Sequence, residues 1–320
     1  VADTRRWSRS ERPPRWSRSE RRQRPPRWSR SERRQRPPRW SRSERSERHE
    51  TLTLRARWEP YRVVLASRIR SQRSYRASFA LDLGSSLLVG LVELAEVAVL
   101  FLAVDRIGGL TLAQVVLVFG IADLTFSLAD MVVGHCDELP RFIRAGTLDV
   151  FYLRPQPLLL QLVTSDISLR RLARASVGAV ALVVGLVLND ITWGPSAVAL
   201  LVLAVLSGAA TFAALFVTAA GLQFFLVNGA EMTNAFVYGG RYAAGQPASV
   251  WPRGLLVVFG FVFPMAFTGY LPVGTLLDLP GVPGLPGWLG WCAPLAAVWA
   301  WVLALTCWRW GVRHYQGAGG

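Results

Sequence analysis

The sequence predicts an all-α membrane protein of six transmembrane helices, with an amphipathic elbow helix before the first span and an arginine-rich repeat ahead of that. Three observations predict it. Hydrophobic residues make up 52% of the 320 residues, with a mean hydropathy of +0.29, above the ~45–50% usual for a soluble domain. They gather into six runs near the ~20 residues that cross a bilayer. The net charge of +15 is also unevenly divided: residues 1–76 hold 25 arginines against 8 acids, and residues 77–320 hold 11 against 13. The basicity therefore belongs to the head and says little about the apolar body.

Residues 1–50 contain a tandem repeat in which Arg-Pro-Pro-Arg-Trp-Ser-Arg-Ser-Glu recurs with Trp16, Trp28 and Trp40 in register. Arginine, serine, glutamate and proline cannot bury enough apolar area to offset chain entropy, so this head is expected to be disordered. It reads as functionally idle or as wrongly translated sequence: no methionine precedes Met131, and Val63 offers an alternative start. Interleaved Arg and Trp suit single-stranded nucleic acid, but nucleic acid is not an expected partner of an idle segment. In residues 51–76, Tyr61, Val64, Leu65 and Ile69 fall at helical spacing among Arg62, Arg68, Arg70, Arg73 and Arg76. That pattern predicts an interfacial helix whose basic side lies on membrane lipid.

The six spans are expected at about 77–104, 112–133, 172–190, 196–227, 253–277 and 288–310 within a domain of residues 77–315, followed by a short tail, 316–320. Positive charge marks the cytosolic side. Arg141, Arg144, Arg154, Arg170, Arg171, Arg174, Arg241, Arg253, Arg309 and Arg313 fall on the side of the N-terminus, and only Arg106 opposes them. Both termini are thus expected in the cytosol of a multi-pass protein of the plasma membrane.

Between the second and third spans, Pro140 and Gly146 frame a helix of under two turns, because proline needs no amide partner at a helix start and glycine accepts the left-handed position after its end. Gly146-Thr-Leu-Asp149, then Leu153-Arg154-Pro155, resemble the loop signature of the type-2 ABC-transporter permeases, the ABC-2 family. The segment with Glu231, Asn234, Tyr238, Gly239 and Arg241 is similar to the stretch between spans four and five in an actinobacterial branch of that family. Phe263-Pro264, Tyr270-Leu-Pro272 and the Gly/Pro-rich hairpin at 279–287 match it in style, and a proline inside a span is expected to kink it.

The resemblance implies an exporter subunit that works with a separate ABC ATPase and a second permease half, either a copy of this chain or a different one. It implies that Arg141, Arg144, Gly146, Asp149, Arg154 and Pro155 form the knob that seats on the ATPase, with Asp149 pairing with Arg154 to hold a return strand. ATP and magnesium would be bound by the partner, and no cofactor by this chain. The sequence supports that division of labour: a phosphate-binding GxxxxGK[ST] loop needs a lysine, and there is none. Cys136, Cys292, Cys307 and three scattered histidines form no metal set, and no GxSxG or HExxH motif is present, so neither a metal site nor catalysis is expected.

The remaining candidates are acidic. Asp82, Glu93 and Glu96 share one face of the first span, and Asp123 and Asp130, seven residues apart, share one face of the second. Carboxyl groups at this depth turn away from lipid. One reading makes Asp82 and Asp130 caps near the headgroups and Glu93 and Asp123 protonated partners between helices. The sharper one makes the five a cation-favouring path, since no span offers a mid-membrane arginine. The same acids support an alternative function, an ion-coupled secondary transporter. Deleting residues 1–50 is expected to leave membrane insertion unchanged, checked by carbonate extraction of membranes, and loss of assembly would contradict an idle head.

Overall fold

A computed structural model describes residues 76–154, 156–165, 171–226, 231, 234–279 and 285–315. The repeat, nearly all of the elbow segment, Pro155 and the tail 316–320 lie outside the described residues, as do the side chains of Asp82 and Asn234. All described residues belong to one compact unit, Trp58–Gly320.

The helices are α1 (Arg76–Leu100), α2 (Leu112–Val133), α3 (Leu139–Arg144), α4 (Leu148–Tyr152), α5 (Leu158–Ser165), α6 (Arg171–Leu188), α7 (Pro195–Gln223), α8 (Gly239–Ala244), α9 (Arg253–Leu255), α10 (Tyr270–Leu276) and α11 (Ala293–His314). Among the described residues, four helical stretches are long and apolar enough to cross a membrane: Leu83–Leu100, Leu112–Arg144, Pro195–Gln223 and Gly287–His314. The apolar part of α6, Ala173–Leu188, is shorter.

Helix α2 is the axis. Val115, Leu117, Val118, Ile121, Ala122 and Phe126 are buried on several of its sides, whereas α1 leaves most of its apolar residues exposed. Between them Gly108 and Gly109, both at positive φ, make a tight turn closed by reciprocal bonds of 3.0 Å between Ile107 and Leu110. The Thr111 amide then donates to the Gln114 side chain at 2.9 Å, satisfying one of the orphan groups at the start of α2. At that end Asn189, just past α6, donates to the Ala113 carbonyl at 2.9 Å. At the other end Arg171 pairs with Asp130 at 3.0 Å, so α6 runs antiparallel to α2.

These two helices touch through backbone. A methyl group at Gly185 would come within 2.6 Å of the Leu117 Cα, and one at Gly178 within 2.9 Å of the Leu124 Cα. Small residues permit this approach, and van der Waals contact replaces the hydrophobic drive that lipid does not supply.

Two expectations are corrected. The first is the placement of 228–253 as a cytosolic loop. Asn234–Tyr238 is a π-helical turn leading into α8, and the path from there follows α2 from one end to the other. Tyr238 donates to Asp137 just past the Val133 end, Arg241 meets Asp123 midway, Gly245 packs on Phe119, and Ser249 donates to the Gly108 carbonyl beyond the Leu112 end. Arg241 and Arg253 therefore leave the set of arginines at the Val133 end; seven of the ten remain assigned there, and Arg170 lies outside the described residues. The long apolar run that marks a span is missing because glycine, alanine and one arginine fill this segment.

The second is the fifth span, 253–277. Its chain passes from α9 into a π-helical stretch, Leu256–Val262, breaks at Phe263-Pro264, and resumes as a 3-10 turn, Met265–Thr268, and α10. Arg253 lies four residues past Ser249, while Gly274 and Leu279 line a cavity with Gly108 and Leu110. Both ends are thus at the Leu112 end of α2, and the middle reaches inward, where Met265 meets Gly240. The element is a hairpin. Proline removes the amide that would continue the helix, and Trp299 of α11 satisfies the Val262 carbonyl at 3.0 Å.

Gly178→Val is expected to lower the thermal midpoint in detergent, since overpacking against backbone costs about 1–3 kcal/mol. Gly84→Val, with nothing within 4 Å of its added Cβ, is the control and should change it far less.

Candidate functional site

Two places bring the sequence candidates together. The first lies midway along α2. Asp123 is ten residues from Val133, about 15 Å along the helix, and Glu93 of α1 faces it. Between them sits Arg241 of α8, 7% exposed. Its Nη1 donates to Asp123 Oδ1 at 2.6 Å and to Glu93 Oε2 at 2.9 Å, and its Nη2 pairs with Glu93 Oε1. The guanidinium also stands 5.2 Å from the centre of the Phe126 ring, a cation–π contact favoured by desolvation. Phe126 is in turn fixed edge-on by Phe212 and Tyr238, at 5.3 and 5.6 Å. A planar fork meets two carboxylates from different helices, which a lysine could not reproduce.

One turn along α1, Glu96 accepts from the Tyr242 hydroxyl at 2.5 Å. The shared face expected for Glu93 and Glu96 thus turns to consecutive residues of one partner segment. Asp130 is taken by Arg171. The expectation that the mid-membrane acids have no arginine partner is therefore overturned. Arg241 was singled out as part of the family-like segment, but its pairing with the acids was missed because charge counting placed it in a cytosolic loop; its position in an otherwise uncharged stretch, 234–251, was the available signal. Gly239 and Gly240 precede it, and Gly240 lets Met265 close over the backbone. Glu231 is exposed.

The second place is the loop after α2. A 3-10 turn, Gly134–Glu138, leads into α3, with Pro140 in its first turn. Gly146 ends the α3 turn at φ 66°, the conformation expected of it. Leu139 and Leu148 are fully buried and Phe142 meets Phe151 edge-on at 5.4 Å, so the knob is a packed body. Arg141 is exposed, as are Arg144 and Arg154, and stands 3.4 Å from Glu138, a contact worth ~0–1 kcal/mol. Arg144 donates to the Pro140 carbonyl at 3.3 Å.

Here too a pairing is corrected. The return segment is the helix α4, and Asp149 accepts from the Tyr315 hydroxyl at 2.9 Å, while Arg154 stands 5.7 Å over the Phe151 ring. Tyr315 stacks on Tyr152 with planes 2° apart and meets Phe224 at 5.9 Å. Burial, with the bond to Asp149, pushes its phenol up to about 12, so it stays a donor at neutral pH. The knob is thereby tied to the ends of α7 and α11.

A family model described as ABC-2 family transporter protein matches residues 87–319. The searches of curated proteins and of solved structures found no match.

Arg241→Ala removes one partner from two carboxyl groups, and breaking a buried ion pair this way costs roughly 3–5 kcal/mol. A large fall in the thermal midpoint in detergent is expected. Adding Glu93→Gln and Asp123→Asn to that variant should recover much of it, and no recovery would mean that the arginine acts by packing alone.

Proposed function

The chain belongs to the ABC-2 family of transporter proteins, and from that premise we propose that it is the permease subunit of an ATP-driven exporter, coupled to a separate ABC ATPase through residues 134–155. It is a multi-pass membrane protein of transport, and the energy source is the part a partner supplies. The observation that carries the coupling assignment is the clasp between Asp149 and Tyr315. A loop that transmits force needs a rigid body and a firm attachment to the spans, and the knob has both.

Its exposed Arg141 and the turn at Gly146 offer the ATPase a shaped, basic contact to which Arg144 and Arg154 add charge, and Pro155, outside the described residues, is assigned to the same contact by sequence. In this reading the Val133 end of α2 is cytosolic, together with Arg171, Arg309 and Arg313. Segment 234–251 then returns the chain to the far side before the hairpin at 253–277, so that α11 brings it back and both termini share the cytosol. ATP and magnesium sit in the ATPase, and a second permease half completes the pathway.

Gly146→Val forces a β-branched residue to positive φ, at a cost of order 1–3 kcal/mol, and is expected to weaken capture of the ATPase while membrane insertion persists. The measurement is mass identification of proteins that copurify in mild detergent, wild type against variant. If no ATPase accompanies the wild-type chain, the exporter reading fails.

A further inference from the structure

The Arg241 cluster is one positive charge short. Glu93 and Asp123 both pair with Arg241, while Glu96 alongside is held by the Tyr242 hydroxyl, which brings no charge. Two carboxyl groups thus share one guanidinium. A net negative charge at span depth is strongly disfavoured unless something positive joins it.

The structure also keeps a place for it. A cavity of about 20 Å³ is lined by Glu93, Glu96, Asp123, Arg241, Tyr242 and Gln246. That is room for one water-sized group. Asp123 is 2% exposed, and while its Oδ1 takes Arg241, its Oδ2 is buried with no hydrogen-bond partner among the described residues. The mouth is formed by Tyr242, half-exposed, and by Glu96, which it holds. Val97 and Phe119 supply apolar wall.

We propose that this cavity binds the primary ammonium group of an amphiphilic amine, an inference that rests on the exporter reading and names its class of cargo. An –NH3+ group is about the size of a water, brings three donors to a site rich in acceptors, and supplies the missing charge. Arg241 has a second part here: by holding Glu93 and Asp123 it fixes their free oxygens in place. A quaternary ammonium group is too large for the cavity and has no N–H to donate. An alcohol has the right size and no charge. Access is from the side between α1 and α8, where the exposed apolar residues Val92 and Val99 flank Glu96 on its helix and leave room for the amine's hydrocarbon part.

The test is binding by the full chain in phosphatidylcholine nanodiscs without ATPase or ATP, read by calorimetry, with empty nanodiscs subtracted. Decylamine is expected to bind saturably at one site per chain, about tenfold or more tighter than decyltrimethylammonium or decanol. Glu96→Gln leaves the Glu93–Arg241–Asp123 contacts in place and should weaken decylamine by a similar factor without moving the thermal midpoint of the unliganded protein. Asp123→Asn should abolish saturable binding. Equal affinity for the three probes, or unchanged binding by Glu96→Gln, overturns the proposal, and so does the absence of saturable decylamine binding, which would leave the cavity to a proton or water. Because no ATPase takes part, such a failure is distinct from failure of the exporter reading, which the copurification decides.

Discussion

The guanidinium of Arg241 is the point on which the structure turns. It joins three segments far apart in the chain, α1 through Glu93, α2 through Asp123 and the 234–251 path through its own backbone. None of these groups is stable at span depth alone, since isolated charges there are costly. Together they specify one arrangement. A buried ion pair adds little net stability over an apolar contact, but it penalises every register in which a partner is lost. The pair therefore acts chiefly as a positional constraint, and the packing of Phe126 against Arg241, Phe212 and Tyr238 makes that constraint rigid.

The same segment links the cluster to the knob by short covalent steps. Tyr238 is three residues before Arg241 and bonds to Asp137, which lies in the turn that becomes α3. On the other side of the knob, Asp149 holds Tyr315 at the end of α11. A displacement of α3 and α4 is thus communicated to two places, the mid-depth cluster and the end of the last helix. The hairpin at 253–277 has its ends near the Leu112 end and packs its inner part on this route, Met265 against Gly240 and Phe263 against Phe236 at 4.5 Å.

Where the sequence was read well, long apolar runs and backbone rules were enough. Helix α2 has the expected bounds, α6, α7 and α11 lie within a few residues of theirs, and Gly146 has the left-handed geometry that its place after a short helix requires. The errors have one origin. Hydropathy measures how apolar a stretch is, not where its ends go, so the run at 253–277 looks like a span although its ends lie together. Segment 234–251 looks like a loop although it follows α2 throughout. The partners of Asp149 and Glu93 were equally hidden, because Tyr315 and Arg241 are 166 and 148 residues away, beyond any local pattern.

The separation of Asp123 and Arg241 by 118 residues also sets an order of events during synthesis. At about 5–20 residues per second, α1 and α2 leave the ribosome roughly 6–24 s before the arginine that neutralises them. During that interval two carboxyl groups wait at mid-depth with no guanidinium between them. They must enter the bilayer uncharged or remain beside the insertion machinery until α8 is made. Docking of α8 is therefore the step that brings the two carboxyl groups their guanidinium.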